Sequence, residues 1–103
     1  MMKLPSSITL CEVGLRDGLQ NEKTPFSTER KLWLAKKLVE AGFSVIELGS
    51  FMSPKAVPQL ADTDELYRQM GESLAELRAL IANLKGVERA IACGCRKVKL
   101  NVS

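Results

Sequence analysis

The stretch Glu12-Val13-Gly14-Leu15-Arg16-Asp17-Gly18-Leu19-Gln20-Asn21-Glu22 sets the frame for the whole chain. It grows out of an apolar run, Ile8-Thr9-Leu10-Cys11, so the first strand is expected over Ile8–Val13. Within a few residues it then places two glycines, a cation and a carboxylate. Gly14 and Gly18 permit backbone conformations that other residues resist. Arg16 carries five fixed donors, and Asp17 offers an oxygen ligand or a proton acceptor. A strand that ends in an Arg-Asp pair held between glycines suits chemistry on a carbonyl compound or around a hard metal ion. The same spacing also fits a tight turn with a surface ion pair.

Outward from that stretch, the chain alternates regularly. Ser27 or Thr28 caps a helix near 29–41, with Leu32, Ala35, Leu38 and Val39 on the inner face and Lys31, Lys36 and Lys37 solvated. Gly42 stops this helix, and Phe43–Gly49 is a second strand. The loop Ser50–Leu60 holds Pro54 and Pro58 and cannot be one continuous helix. Asp62 and Glu65 are spaced like a capping box and open a helix to about Met70 or Leu74, with Leu66, Met70 and Leu74 on one stripe. Leu77–Ala82 is a third strand. Asn83 caps a third helix that faces Leu84, Val87, Ala90 and Ile91 inward and ends at Gly94. Lys97–Val102 is a fourth strand with alternating side chains. Repeated βα units imply a parallel sheet with right-handed crossovers. The class is α/β: either a small open sheet or, since a complete (β/α)8 barrel takes about 250 residues, roughly the first half of one.

Composition narrows the function. The 103 residues are 46% hydrophobic and 26% charged, the balance of one small globular domain, 1–103. A net charge of +3 favours anionic ligands slightly, but no Lys/Arg cluster is long enough to argue for nucleic acid. No run of about 18 apolar residues argues for a membrane span. Three cysteines do not form a disulfide framework, which fits a reducing cytoplasm. Cys93 and Cys95 read as small residues at a helix-to-strand junction. Histidine is absent, so this chain offers neither imidazole catalysis nor His–metal ligation.

Three segments in order, EVGLRDGLQNEK (Glu12–Lys23), EAGFSVIELGSFMSPKAVPQLAD (Glu40–Asp62) and NLKGVERAIACG (Asn83–Gly94), resemble the 3-hydroxy-3-methylglutaryl-CoA lyase family. The resemblance covers nearly the whole chain and the amino-terminal half of that family's TIM barrel. The RDGLQNE form, with Leu19 where the related isopropylmalate and homocitrate synthases usually have Glu, and the loop Ser50–Gln59 are similar to the lyase branch. LGSF at Leu48–Phe51 departs from the family's more usual TTSF or ATSF and bears on substrate preference.

The resemblance implies a retro-aldol, Claisen-type cleavage of an acyl-CoA substrate, with Mg²⁺ or Mn²⁺ as cofactor. By position, Asp17 matches the metal-binding aspartate, Arg16 the catalytic arginine and Glu47 the active-site glutamate. Each falls at or near a strand's carboxyl end. Gln20, Asn21 and Ser50–Gln59 are weaker candidates for site contact. The family completes its metal site with a His-x-His pair and an asparagine from later strands, and uses a late loop cysteine that Cys11, Cys93 and Cys95 do not match. The expected reading is therefore an impaired N-terminal portion of a lyase. A sister aldol-condensing synthase and a non-catalytic half-barrel module remain as alternatives. A half-barrel with open edges and an uncovered apolar inner face around Val45 is expected to form a homo-oligomer.

Overall fold

The computed structural model describes Leu4 and residues 6–101. Four strands form one sheet in the order β1-β2-β3-β4: β1 (Cys11–Glu12), β2 (Val45–Ser50), β3 (Glu76–Ile81) and β4 (Lys97–Leu100). Every neighbouring pair is parallel. Three helices connect them, α1 (Thr28–Glu40), α2 (Thr63–Met70) and α3 (Leu84–Ala92). The expected alternation is thus present. The first strand is much shorter than Ile8–Val13: the side chains of Ile8 and Leu10 stand mostly exposed, and pairing with β2 covers Cys11 and Glu12. The expected end of the fourth strand at Val102 lies outside the described residues.

Local chemistry accounts for the boundaries. Ser27 accepts a hydrogen bond from the backbone N–H of Arg30 and starts α1, as a cap should. Gly42, at φ +101°, turns the chain out of that helix. Asn83 caps α3 through the N–H of Gly86 at 2.9 Å. At α2 the capping box does not form: Asp62 occupies the cap position, but its side chain makes no cap bond. It is committed to Lys31 and Thr28 instead.

One apolar core lies between the sheet and the helices. It joins Ile46 and Leu48 of β2 and Ala79 and Ile81 of β3 to Ala35, Leu66, Tyr67 and Ala90 of the helices. Since side chains alternate along a strand, Val45, Glu47, Glu76 and Arg78 point to the other face. That face is charged: Glu76 bonds Arg78 at 2.5 Å and Lys97 at 3.2 Å. The expected apolar inner face is therefore corrected; Val45 is covered and the uncovered surface is ionic.

Other expected inward positions also differ. Leu74 lies beyond the end of α2, which stops at Met70 before Gly71, and is fully exposed. Leu84 and Ile91 lie on the side of α3 turned away from the core, while Gly86, Val87 and Ala90 make the contact. The fourth strand does not alternate in burial, because no described element covers either side of it. Lys31, expected in solvent, is 2% exposed.

Candidate functional site

The Arg-Asp pair sits on a helical turn and not in an open glycine loop. Gly14–Gly18 form one π-helical turn after β1, in which the N–H groups of Arg16, Asp17 and Gly18 converge on the carbonyl of Val13. Such turns recur at functional sites. Neither glycine uses a left-handed conformation. The Glu12 carboxylate folds back onto the N–H of Gly14 at 2.7 Å, so a Cβ at this position would displace the end of that side chain, 2.8 Å away. Leu15 and Leu19 anchor the turn in the core, which leaves Arg16 and Asp17 on its outer side. Asn21 donates to the carbonyl of Asp17 at 2.9 Å, so it braces the turn.

Glu47 comes from the uncovered face of β2. It is the third of that strand's six residues and lies deeper than a strand end. Its carboxylate is 4% exposed and accepts a hydrogen bond from Arg16 Nε at 2.8 Å. Arg16 Nη1 lies 3.4 Å from Asp17 Oδ1. The structure thus brings together Arg16, Asp17 and Glu47. Nε of Arg16 is tied to Glu47 and Nη1 lies toward Asp17, while Nη2 has no side-chain partner among the described residues. The thiol of Cys11 donates to the other oxygen of Glu47 at 3.9 Å. Burial, and then the Glu47 charge, hold that thiol above its ordinary range, so it stays protonated beside the pair.

Asp17 is the exposed member, with 61% of its side chain open. Among the described residues no three His, Cys, Asp or Glu side chains gather to hold a metal ion. Hard divalent ions take six or so oxygens, often one or two carboxylates with substrate and water. The donor set here therefore fits one ligand of such a site and not the whole of it. Cys93 and Cys95 are buried structural thiols, each donating to a nearby backbone carbonyl.

The LGSF departure has a packing explanation. The pairing of β2 with β3 slips between Glu47 and Gly49, so Leu48 is an extra residue that turns into the core. Gly49 then faces α2, where any Cβ would collide with the Thr63 side chain. Thr63 in turn donates to the carbonyl of Leu60 and accepts from the N–H of Ser50. Neither departing residue faces Glu47.

Two clusters around the site were not anticipated. Lys31 Nζ donates to the Gln59 carbonyl at 2.5 Å and to Asp62 at 2.6 Å, while Gln59 Nε2 donates to the Glu22 carbonyl at 2.9 Å. This network ties the segment after Arg16–Asp17 to the loop after β2. Its signal was present: Lys31, Ala35 and Leu38 are spaced four and three apart, so Lys31 lies on the apolar stripe. On α3, Arg89 pairs with Asp64 and donates to the Met52 carbonyl. Residues 25 and 37 positions away leave no periodic trace.

Comparison with known proteins now bears on this geometry. Residues 7–103 match the HMGL-like family. The chain is 48% identical over 101 residues to the mitochondrial hydroxymethylglutaryl-CoA lyase of Macaca fascicularis, covering 97% of this chain and 31% of that protein. It is 45% identical over 98 residues to the 3-hydroxy-3-isohexenylglutaryl-CoA/hydroxy-methylglutaryl-CoA lyase of Pseudomonas aeruginosa, covering 94% of this chain and 33% of that one. The crystal structure of a P. aeruginosa hydroxymethylglutaryl-CoA lyase superposes with a TM-score of 0.90 at 44% identity, over 96% of this chain and 33% of that chain. A lyase from A. baumannii, solved with coenzyme A and 3-methylmalate, superposes with a TM-score of 0.88 at 39% identity, over 97% and 33%. The four strands thus correspond to the N-terminal portion of a TIM barrel, and the chain spans about a third of the length of these relatives. By its sequence match and its superposition alike, the chain belongs to the HMGL-like family.

Proposed function

We propose that Arg16, Glu47 and Asp17 serve the carbon–carbon cleavage of 3-hydroxy-3-methylglutaryl-CoA to acetyl-CoA and acetoacetate. The observation that carries this reading is the Arg16–Glu47 pair, 2.8 Å apart, on a scaffold that superposes on hydroxymethylglutaryl-CoA lyases. Cleavage leaves a thioester enolate, whose oxygen needs a fixed cation. A guanidinium remains charged throughout and suits that task. Glu47 holds Arg16 in one orientation, so its terminal donors need no reorganisation when the negative charge develops. In this reading Glu47, buried beside its cation, also carries a proton for the reaction. Asp17 is one ligand of a Mg²⁺ or Mn²⁺ ion whose remaining ligands come from outside these 103 residues. When bound, such an ion supplies the charge that acidifies the substrate hydroxyl. The substrate is accordingly an acyl-CoA, the setting cytoplasmic, and the 103 residues alone do not turn it over.

The test is a chimera in which this chain replaces the matching third of the P. aeruginosa lyase. Acetoacetate release from 3-hydroxy-3-methylglutaryl-CoA is expected. Arg16→Gln should then lower kcat by about a thousandfold or more with little change in KM, because its interaction is made mainly in the transition state. A variant within threefold of the parent kcat would sink the assignment.

A further inference from the structure

The loop between β2 and α2 leaves the strand three residues after Glu47, and Gln59 near its far end donates to the carbonyl of Glu22, five residues beyond Asp17. Its far end is held by the Lys31 network through Gln59. Its near end is held by a side chain from a different helix. Arg89 of α3 donates through Nη1 to the Met52 carbonyl at 3.2 Å. Its Nε lies 3.3 Å from Oδ2 of Asp64, and Nη2 bonds Oδ1, a two-pronged pair with the first turn of α2. The same guanidinium lies 5.3 Å from the centre of the Phe51 ring, which is buried and stacks at 5.9 Å on Tyr67. One side chain therefore meets the loop's aromatic anchor, its backbone and the helix that follows it. The next residues, Ser53–Ala56, are exposed, and their turn is closed by N–H bonds from Ala56 and Val57 to Ser53 alone.

We propose that Arg89 is a positioning residue that fixes the Phe51–Val57 loop as a wall of the Arg16–Glu47 site, and through it the binding of the acyl-CoA substrate. The clamp stands on the geometry; only its effect on substrate rests on the lyase reading. A planar fork is needed, since an ammonium cannot pair with a carboxylate in two-pronged fashion and also reach a carbonyl.

Lys55 lies at the loop's tip and is exposed, so trypsin reports on it. In the full 103-residue chain, cleavage after Lys55 is read by mass spectrometry against cleavage after Lys37, which lies in α1 and reports global opening. Arg89→Met keeps the stem over Phe51 but removes the donors. It should raise the Lys55-to-Lys37 ratio at least about tenfold, since cleavage tracks the population of the locally open state. Arg89→Lys should fall between, and Asp64→Asn should move the ratio the same way by less. If Arg89→Met unfolds the chain, both sites accelerate and Asp64→Asn decides. An unchanged ratio in Asp64→Asn and Arg89→Met overturns the clamp. In the chimera, Arg89→Met should raise KM about fivefold or more at nearly constant kcat. An unchanged KM in an active chimera would overturn the link to substrate. A chimera that is inactive with Arg89 intact would instead count against the lyase reading.

Discussion

The two faces of the sheet are built by opposite rules. Under the helices, β2 and β3 present Ile46, Leu48, Ala79 and Ile81, and nearly every one of these atoms is dry. On the other face, the same strands present Glu47, Glu76 and Arg78, with Lys97 level with Arg78 on β4. The first face carries the stability of the fold, because apolar burial scales with area. The second carries charge and, at Glu47 and Arg16, the candidate chemistry. A parallel sheet normally buries both faces and reads as unbroken apolar runs. Here the alternation of charge along Glu76-Leu77-Arg78 marks the face turned to the site.

The largest effect should come from the dry face. Leu48 is fully buried where the β2–β3 register slips. Leu48→Ala removes that packing and should cost about 2–5 kcal/mol, enough to unfold a small domain. Urea denaturation followed by circular dichroism measures it. A loss below about 1 kcal/mol would mean that the helix-covered face is not what holds this chain together.

Next comes Lys31, the cation fully buried on the dry side among the described residues. Lys31 is buried against Asp62 and the Gln59 carbonyl. Removing one partner of a buried pair costs roughly 3–5 kcal/mol, but Asp62 keeps about a quarter of its side chain in water, so Lys31→Met should cost about 2–3 kcal/mol. The double variant Lys31→Met/Asp62→Leu should recover part of that loss in the same denaturation experiment, and no recovery would show that the pair is not the source.

A smaller effect is expected from acid. Burial works against the charge of Asp64, but the Arg89 hydrogen bond outweighs it and holds the carboxyl below its ordinary value of 3.8. A folded-state pKa below the unfolded one adds stability that is complete above pH about 4 and fades as pH falls through the folded value. The melting temperature of wild type should therefore fall more steeply between pH 5 and pH 2.5 than that of Asp64→Asn. Parallel curves would show that the pair with Arg89 contributes nothing in solution.

The same contrast explains what the sequence made legible. Caps, stops and strand order were readable because they depend on near neighbours: Ser27 with Arg30, Asn83 with Gly86, Gly42 after a helix. The Arg16–Glu47 site was readable only through resemblance, since partners 31 positions apart share no local signal. Lys31, Leu84 and Ile91 depart from the rule that charge points out and apolar residues point in. Lys31 finds partners that justify its burial, whereas Leu84 and Ile91 find no described neighbour to cover them.

The smallest effect on folding should come from the charged face, and it separates stability from assembly. Lys97 and Lys99 stand on the exposed edge strand β4; Lys97 pairs loosely with Glu76, and Lys99 has no ion pair among the described residues. Exposed pairs of this kind contribute little, so Lys97→Met/Lys99→Met should change unfolding free energy by no more than about 1 kcal/mol. Association should respond far more. Lysines on an edge strand oppose pairing with another chain. A two-fold dimer, which we propose as the simplest way to close the open sheet, would pair β4 of one copy with β1 of its twin and gather both copies' Lys97 and Lys99 on the shared inner face. Salt screens that repulsion within about 10 Å at 0.1 M. Light scattering at micromolar concentration should therefore show the wild-type mass rising with added salt, and the double variant associated already at low salt. A wild-type chain that stays a monodisperse monomer of 11.3 kDa at every salt concentration would refute the dimer. If both chains were dimeric regardless of salt, the interface would have to lie away from the charged face, on exposed apolar side chains such as Trp33 of α1 or Leu84 and Ile91 of α3.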